Sequence, residues 1–290
     1  EIRLSLVGSE MCIRDRRKGT PTQLSNAVLE LMKDGNTDWQ KQWRNKRFIT
    51  CNGHYLRGGN LVVLASLSDY GRSVWGTYDQ WSHHGCQVKK GAKAVPLTVY
   101  KGKDENGKHK FGKYIAFNIE QCDGDTDKFV GFDSPPVNNN KICDKTEAKL
   151  EMLQSKVQWH TSMAAYSPAE DVIYMPEMAF FKSASAYYGT RLHEEAHRTG
   201  HESRLARDLK GKFGDKKYAM EELIAELTSC FMCVELGVIS EPRKDHAQYI
   251  NSWIQLLTDD KRAFNIAVGK AQQATNYMLS QMGIDITEVN

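Results

Sequence analysis

The chain has 290 residues, of which 40% are hydrophobic and 10% aromatic, with a formal net charge of +3. That is enough apolar material for one large packed core or two smaller ones, and no stretch approaches the ~20 consecutive apolar residues of a membrane-spanning helix. The seven cysteines, at 12, 51, 86, 122, 143, 230 and 233, are odd in number and scattered, which excludes a disulfide scaffold and implies reduced thiols in a cytoplasmic setting.

The first sixteen residues, EIRLSLVGSEMCIRDR, resemble translated adapter sequence more than a signal segment: the apolar part is short and no small-residue cleavage site follows. Residues 1–17 are therefore read as a non-native or unstructured leader. The spacing of TQLSNAVLELMK (22–33) predicts a helix, stopped by Gly35 and Asn36. LVVLASL (61–67) suits a buried helix or a strand, with helix preferred. AVPLTVY (94–100) and YIAFNIEQC (114–122) read as two strands of a hairpin whose loop carries an Asn-Gly turn. This front segment, 18–128, is expected to be a small α+β domain. Residues 129–143, with Pro135–Pro136 and three consecutive asparagines, are expected to be a linker.

The rear segment, 144–285, opens with the capping-box spacing Asp144-x-x-Glu147 of a helix running to about Val157. DVIYMP (171–176) predicts a short strand. Helices follow at about 183–199, 219–236, 245–257 and 260–281, so this half is mostly helical. Charge is divided unevenly along the chain. Lys18 to Lys128 carries 17 Lys/Arg against 11 Asp/Glu, and Phe129 onward carries 18 against 22. A basic front half points to a polyanionic partner.

Within the 183–199 helix stands HEEAH (193–197). Positions i and i+4 share one helix face, so His193 and His197 offer one ring nitrogen each to a single Zn²⁺ at about 2.0–2.1 Å. Glu194 is placed to take a proton from metal-activated water. A catalytic zinc needs a third protein ligand, and EELIAEL (221–227) supplies Glu222, with Glu221 as the fallback one position away. Glu226 is the expected acceptor for a ligand histidine's N–H. His201 either caps the helix or lines the cleft edge, and has no ligand role. Cys230 and Cys233 have redox or zinc spacing but lie in an apolar helical run, which favours core thiols. Mn²⁺ and Co²⁺ suit the same ligand types as Zn²⁺.

The segments HEEAHRTGHESRLARD (193–208), YAMEELIAELTSCFMCVELGV (218–238), YLRGGN (55–60) and WGTYDQWSHHGCQVKKGAKAVPLTVYK (75–101) together resemble ArdC-like antirestriction proteins of conjugative plasmids and phages. The resemblance extends from Pro21 to about Met282. It implies an N-terminal domain that binds single-stranded DNA, then a zincin-type metallopeptidase domain. In that domain His193, His197 and Glu222 would be zinc ligands and Glu194 the catalytic glutamate. It also implies that DVIYMP borders the cleft as an edge strand, open to a host protein or peptide by strand addition.

Single-strand binders pair cations along the phosphates with aromatic faces for the bases. The candidate cations are Arg44, Arg47, Arg57, Lys89, Lys90 and Lys93, and the candidate aromatics Trp39, Trp43, Tyr55, Trp75 and Trp81. The alternative reading is a DNA-binding, DNA-protecting protein with a structural or vestigial metal site. A closed site of cysteines would have favoured that alternative; a His/His/Glu set with a spare glutamate favours hydrolysis.

Overall fold

The structure, a computed structural model, describes residues 47–284 apart from 68–69, 104, 106–108, 133–141, 161–162, 212–214, 239–245 and 261, together with 29 and 32. The expected helix at 22–33 therefore lies largely outside the described residues, although Leu29 and Met32 are both helical and buried.

The fold is α+β, strand-rich in front and helical behind. The front half runs β1 (Ile49–Thr50), α1 (Gly59–Leu67), β2 (Val74–Gly76), α2 (Tyr78–His83), β3 (Cys86–Val88), β4 (Val95–Lys103), β5 (His109–Asn118) and β6 (Cys122–Gly124). Its main sheet has the order β1-β2-β5-β4, and β3 pairs separately with β6. β4 and β5 are antiparallel neighbours, as the hairpin pattern implied. β4 lies at the sheet edge, where Pro96 deprives no central ladder of a donor. Part of that edge is closed by Asn60, whose side-chain amide donates to the Thr98 carbonyl at 2.7 Å and accepts from the Thr98 N–H at 2.9 Å.

α1 is apolar on all sides, as a helix buried all round must be, and Leu61, Val62 and Leu64 are at most 2% exposed. The rear half supplies α3 (Ile142–Glu151), β7 (Lys156–Trp159), β8 (Ala165–Ser167), β9 (Val172–Met175), α4 (Ala184–Thr199), α5 (Lys216–Leu236), α6 (His246–Asp259) and α7 (Ala263–Gln281). The glycine pair of YLRGGN lets α1 approach α7: a Cβ on Gly58 would overlap the Gln272 side chain, and one on Gly59 would press on Val268 at 3.3 Å.

The largest apolar cluster draws on both halves, with Leu61, Leu64, Trp75 and Leu97 meeting Leu223, Leu227, Trp253 and Phe264. The halves are thus packed on one another. α5 is the central rear element, buried along nearly all of Ala219–Val234. Asp215 caps its start by accepting from the Tyr218 N–H, and Gly237, at φ 70°, ends it in the left-handed region.

Three sequence expectations differ from the structure. The helix opened by Asp144-x-x-Glu147 stops at Glu151, and Gln154 at φ 50° turns the chain into β7. Phe129, placed in the linker, lies within a structured segment instead: Asp127–Phe132 is a 3₁₀ turn, and the Phe129 ring packs edge-on against Trp81 at 5.3 Å. Finally, DVIYMP is no edge strand. The sheet order is β7-β9-β8, so β9 is central and β8 is the outer strand facing α4.

Candidate metal centre

α4 and α5 pack side by side and bring three side chains to one point. His193 Nε2 and His197 Nε2 are 3.1 Å apart, and the Glu222 carboxylate lies 3.5 Å from the first and 3.4 Å from the second. A tetrahedral ion about 2.0–2.1 Å from each ligand separates its ligand atoms by roughly 3.3 Å. The donor set therefore fits one divalent ion in chemistry and in spacing, and among the described residues it is the group of this kind. His193 and Glu222 are buried and His197 nearly so.

The outward ring nitrogens meet two further acids. His193 Nδ1 is 3.5 Å from Glu226 Oε2, and Glu226 is 1% exposed and also receives the Cys230 thiol at 3.7 Å. His197 Nδ1 is 3.2 Å from Glu221 Oε1. Glu221, the expected fallback ligand, stands behind His197 instead. It is gripped by Arg207, whose Nε and Nη2 donate to its two oxygens at 2.9 and 2.7 Å. Glu221 and Glu222 are adjacent on one helix, about 100° apart around it, so one turns inward and the other back.

Burial pushes the Glu222 carboxyl up, but the imidazoles of His197 and His193 outweigh it and hold it far below the carboxylate range. For His197, burial alone lowers the pKa, and the flanking Glu222 and Glu221 raise it to about 10. Burial likewise works against Glu221, whose pKa is nevertheless lowered by Arg207 and His197.

Glu194 is 4% exposed, and its Oε2 accepts from the backbone N–H of Tyr166 on β8 at 2.9 Å. The Tyr166 hydroxyl in turn donates to Asp171 Oδ1 at 2.8 Å, and Arg204, beyond the end of α4, donates from Nη1 to Asp171 Oδ2 and from Nη2 to the Tyr166 hydroxyl, each at 3.1 Å. Arg204 first of all, against the opposing effect of burial, holds Asp171 down at about 2, while burial and Asp171 push the Tyr166 phenol up to about 12. This clamp joins the β8–β9 turn to the segment after the histidine helix. His201 bonds Ser203 at 2.8 Å and stays out of the ligand cluster. Cys230 and Cys233 are buried core thiols.

The expected nucleic-acid residues divide sharply. Trp39, Trp43 and Arg44 lie outside the described residues. Trp75 and Trp81 are corrections. They are 1% and 0% exposed, and the Trp81 Nε1–H donates to the Phe117 carbonyl, so neither offers a face to a base. Arg47 and Arg57 converge on Glu235 of α5 at 3.5 and 2.8 Å, and Arg47 also stacks 4.2 Å over the ring of Tyr55, which is 40% exposed. Lys89, Lys90 and Lys93 are exposed along the β3–β4 connection, with Lys89 3.7 Å from Asp123. No helix among the described residues is long and apolar enough to cross a membrane.

Comparison with known proteins agrees with this architecture. The N-terminal domain of anti-restriction factor ArdC matches residues 19–130, and a zincin-like metallopeptidase family matches residues 144–270. An uncharacterized protein, y4eC, of Sinorhizobium fredii is 33% identical, with 92% of this chain and 95% of that protein covered. The DNA primase TraC of Escherichia coli is 31% identical over 89% of this chain, which corresponds to 27% of that larger protein. Among solved structures, the Mn(II)-bound antirestriction ArdC protein from the R388 plasmid superposes with a TM-score of 0.74 at 30% identity, covering 91% of this chain and 98% of the other. Its metal-free form superposes with a TM-score of 0.73. The zincin-like match and the manganese-bound relative both point to a divalent metal. By sequence, fold and domain order, the chain belongs to the ArdC family of antirestriction proteins.

Proposed function

We propose that the chain binds single-stranded DNA through its front half and carries a zinc-dependent amide-hydrolysing centre in residues 144–285. It would act in the bacterial cytoplasm on behalf of incoming plasmid or phage DNA. The observation that carries this reading is the convergence of His193, His197 and Glu222 on one point, with Glu194 next to His193 in the chain, buried, and outside the ligand set. A purely structural ion needs no such spare carboxylate.

In this reading His193, His197 and Glu222 hold the ion, with zinc preferred for a His₂Glu set and Mn²⁺ or Co²⁺ accepted by the same donors. The bound ion supplies Lewis acidity, polarising a carbonyl and acidifying water. Glu221 accepts from His197 Nδ1–H, which fixes that tautomer and turns its Nε2 lone pair inward, and the Glu226 carboxylate, 3.5 Å from His193 Nδ1, favours the same tautomer there. Glu194 keeps Oε2 on the Tyr166 N–H and takes the proton of the attacking water at Oε1. The outer strand β8, in place of the strand suggested by sequence, would border a bound peptide of the host.

On the nucleic-acid side, the exposed Lys89, Lys90 and Lys93 and the half-open Tyr55 supply the charge and the ring that single strands engage. The DNA-related names of the TraC and ArdC relatives support this assignment. The experiment is digestion of a peptide library by the Zn²⁺-loaded chain, read by mass spectrometry. Cleavage abolished by chelation supports the proposal, and an intact library at every metal tested contradicts it.

A further inference from the structure

The segment after the histidine helix, TGHESRLARD, is not explained by ligand counting, yet it returns a side chain to the centre. Arg207 is 5% exposed. Its guanidinium donates to both oxygens of Glu221. The same group donates to the Ala196 carbonyl at 2.7 Å and to Thr199 Oγ1 at 2.8 Å, at the C-terminal end of α4. One side chain therefore fastens the end of the first metal helix to an acid on the second, and that acid accepts from His197 Nδ1.

Gly200 makes the approach possible. Its φ of −77° is open to any residue, so the glycine is not there for backbone freedom. A Cβ at that position would lie 2.8 Å from Leu209 Cδ2 and 2.9 Å from Arg207 Nη2, so what Gly200 leaves is room for the leucine side chain and the guanidinium together.

Charge gives a reason for the arrangement. Glu194, Glu221, Glu222 and Glu226 are all buried around two imidazoles. Buried carboxylates are costly unless paired. A bidentate guanidinium discharges one of them and fixes its plane, which leaves Glu221 as a rigid acceptor for His197 and not as a competing ligand.

We infer that Arg207 is a positioning residue of the metal centre: through Glu221 it sets the tautomer and angle of His197, and so the affinity for the ion. The inference rests on the proposed metal centre. Its test is isothermal titration of the metal-stripped full chain with Mn²⁺, together with the visible spectrum of the Co²⁺-loaded chain. Arg207→Ala is expected to weaken Mn²⁺ binding by roughly 10–100-fold and to shift the Co²⁺ bands. Arg207→Lys recovers little, because one ammonium cannot reproduce the fork. Glu221→Gln, nearly isosteric, weakens binding similarly, and the double variant is no weaker than the worse single one. Lys216→Ala, which removes a surface ion pair at the start of α5 without touching Arg207 or Glu221, leaves affinity and spectrum unchanged. Should Arg207→Ala not fold, Glu221→Gln and Arg207→Lys carry the same comparison. Wild-type affinity in the Arg207 variants, or independent effects that multiply in the double variant, overturn the inference alone. A wild-type chain that takes up no Mn²⁺ overturns the metal centre and this inference with it.

Discussion

The backbone N–H of Tyr166 donates to Glu194 Oε2 at 2.9 Å, tying the outer strand β8 to the residue next to the first histidine. Glu194→Gln preserves this bond, since the amide oxygen also accepts. The variant is therefore expected to fold and to bind metal like the parent, while hydrolysis falls about 10²–10⁴-fold with loss of the base. Metal titration and peptide-library digestion of the same preparation check both halves of the expectation; retained cleavage removes Glu194 from the mechanism.

Metal uptake should release a proton. His197 titrates near 6.5 when unfolded and at about 10 in the metal-free fold, where burial is outweighed by Glu222 and Glu221. Its proton thus stabilises the metal-free fold fully below pH 6.5, and that contribution is lost as pH rises through about 10. A metal ligand must be neutral, so affinity should climb by about tenfold per pH unit within this window. Calorimetry at about pH 8 in buffers of different ionisation enthalpy should count close to one proton released per ion. A pH-independent affinity contradicts the assignment of His197.

Glu235 lies in the last turn of α5, where a negative charge opposes the helix dipole. Arg57 and Arg47 from the front half compensate it, at 2.8 and 3.5 Å. Glu235→Gln leaves the largely buried Arg57 without its carboxylate and is expected to cost about 3 kcal/mol, lowering Tm by roughly 6–12 °C. Thermal melts monitored by circular dichroism decide this, and an unchanged Tm means that the contact does not hold the halves together.

The exposed lysines and the buried tryptophans should separate binding from folding. Replacing Lys89, Lys90 and Lys93 together by Ala should weaken binding to an oligo-dT strand and reduce the salt slope by about 2, at roughly 0.7 per phosphate contact. Trp81→Ala should instead cost about 3–5 kcal/mol of stability. Fluorescence anisotropy across a salt series, with melts of both variants, checks the pair. An unchanged slope in the lysine variant excludes that surface.

Much of this was legible because it is local. The i, i+4 spacing of His193 and His197, and of Glu222 and Glu226, follows from helix geometry, and the two helices that carry them lie close to the bounds that their apolar periodicity implied. What was not legible depends on distant pairing. β9 became central only because β7 and β8 flank it on either side. Arg207 reaches Glu221 across a separation of 14 residues that no periodic pattern spans. Buried Trp81 and half-exposed Tyr55 look alike in sequence, since an aromatic ring serves a core as well as a stacking surface. The end of α3 has no glycine or proline to mark it, only Gln154 in a left-handed conformation.

The central claim is tested most directly by an anomalous-difference map of a crystal of the full chain grown with Zn²⁺ and recorded at the zinc edge. The account predicts a peak bounded by His193 Nε2, His197 Nε2 and Glu222, with Glu194 alongside but not coordinated. A peak held by other residues, or none at this position in a metal-saturated crystal, contradicts it.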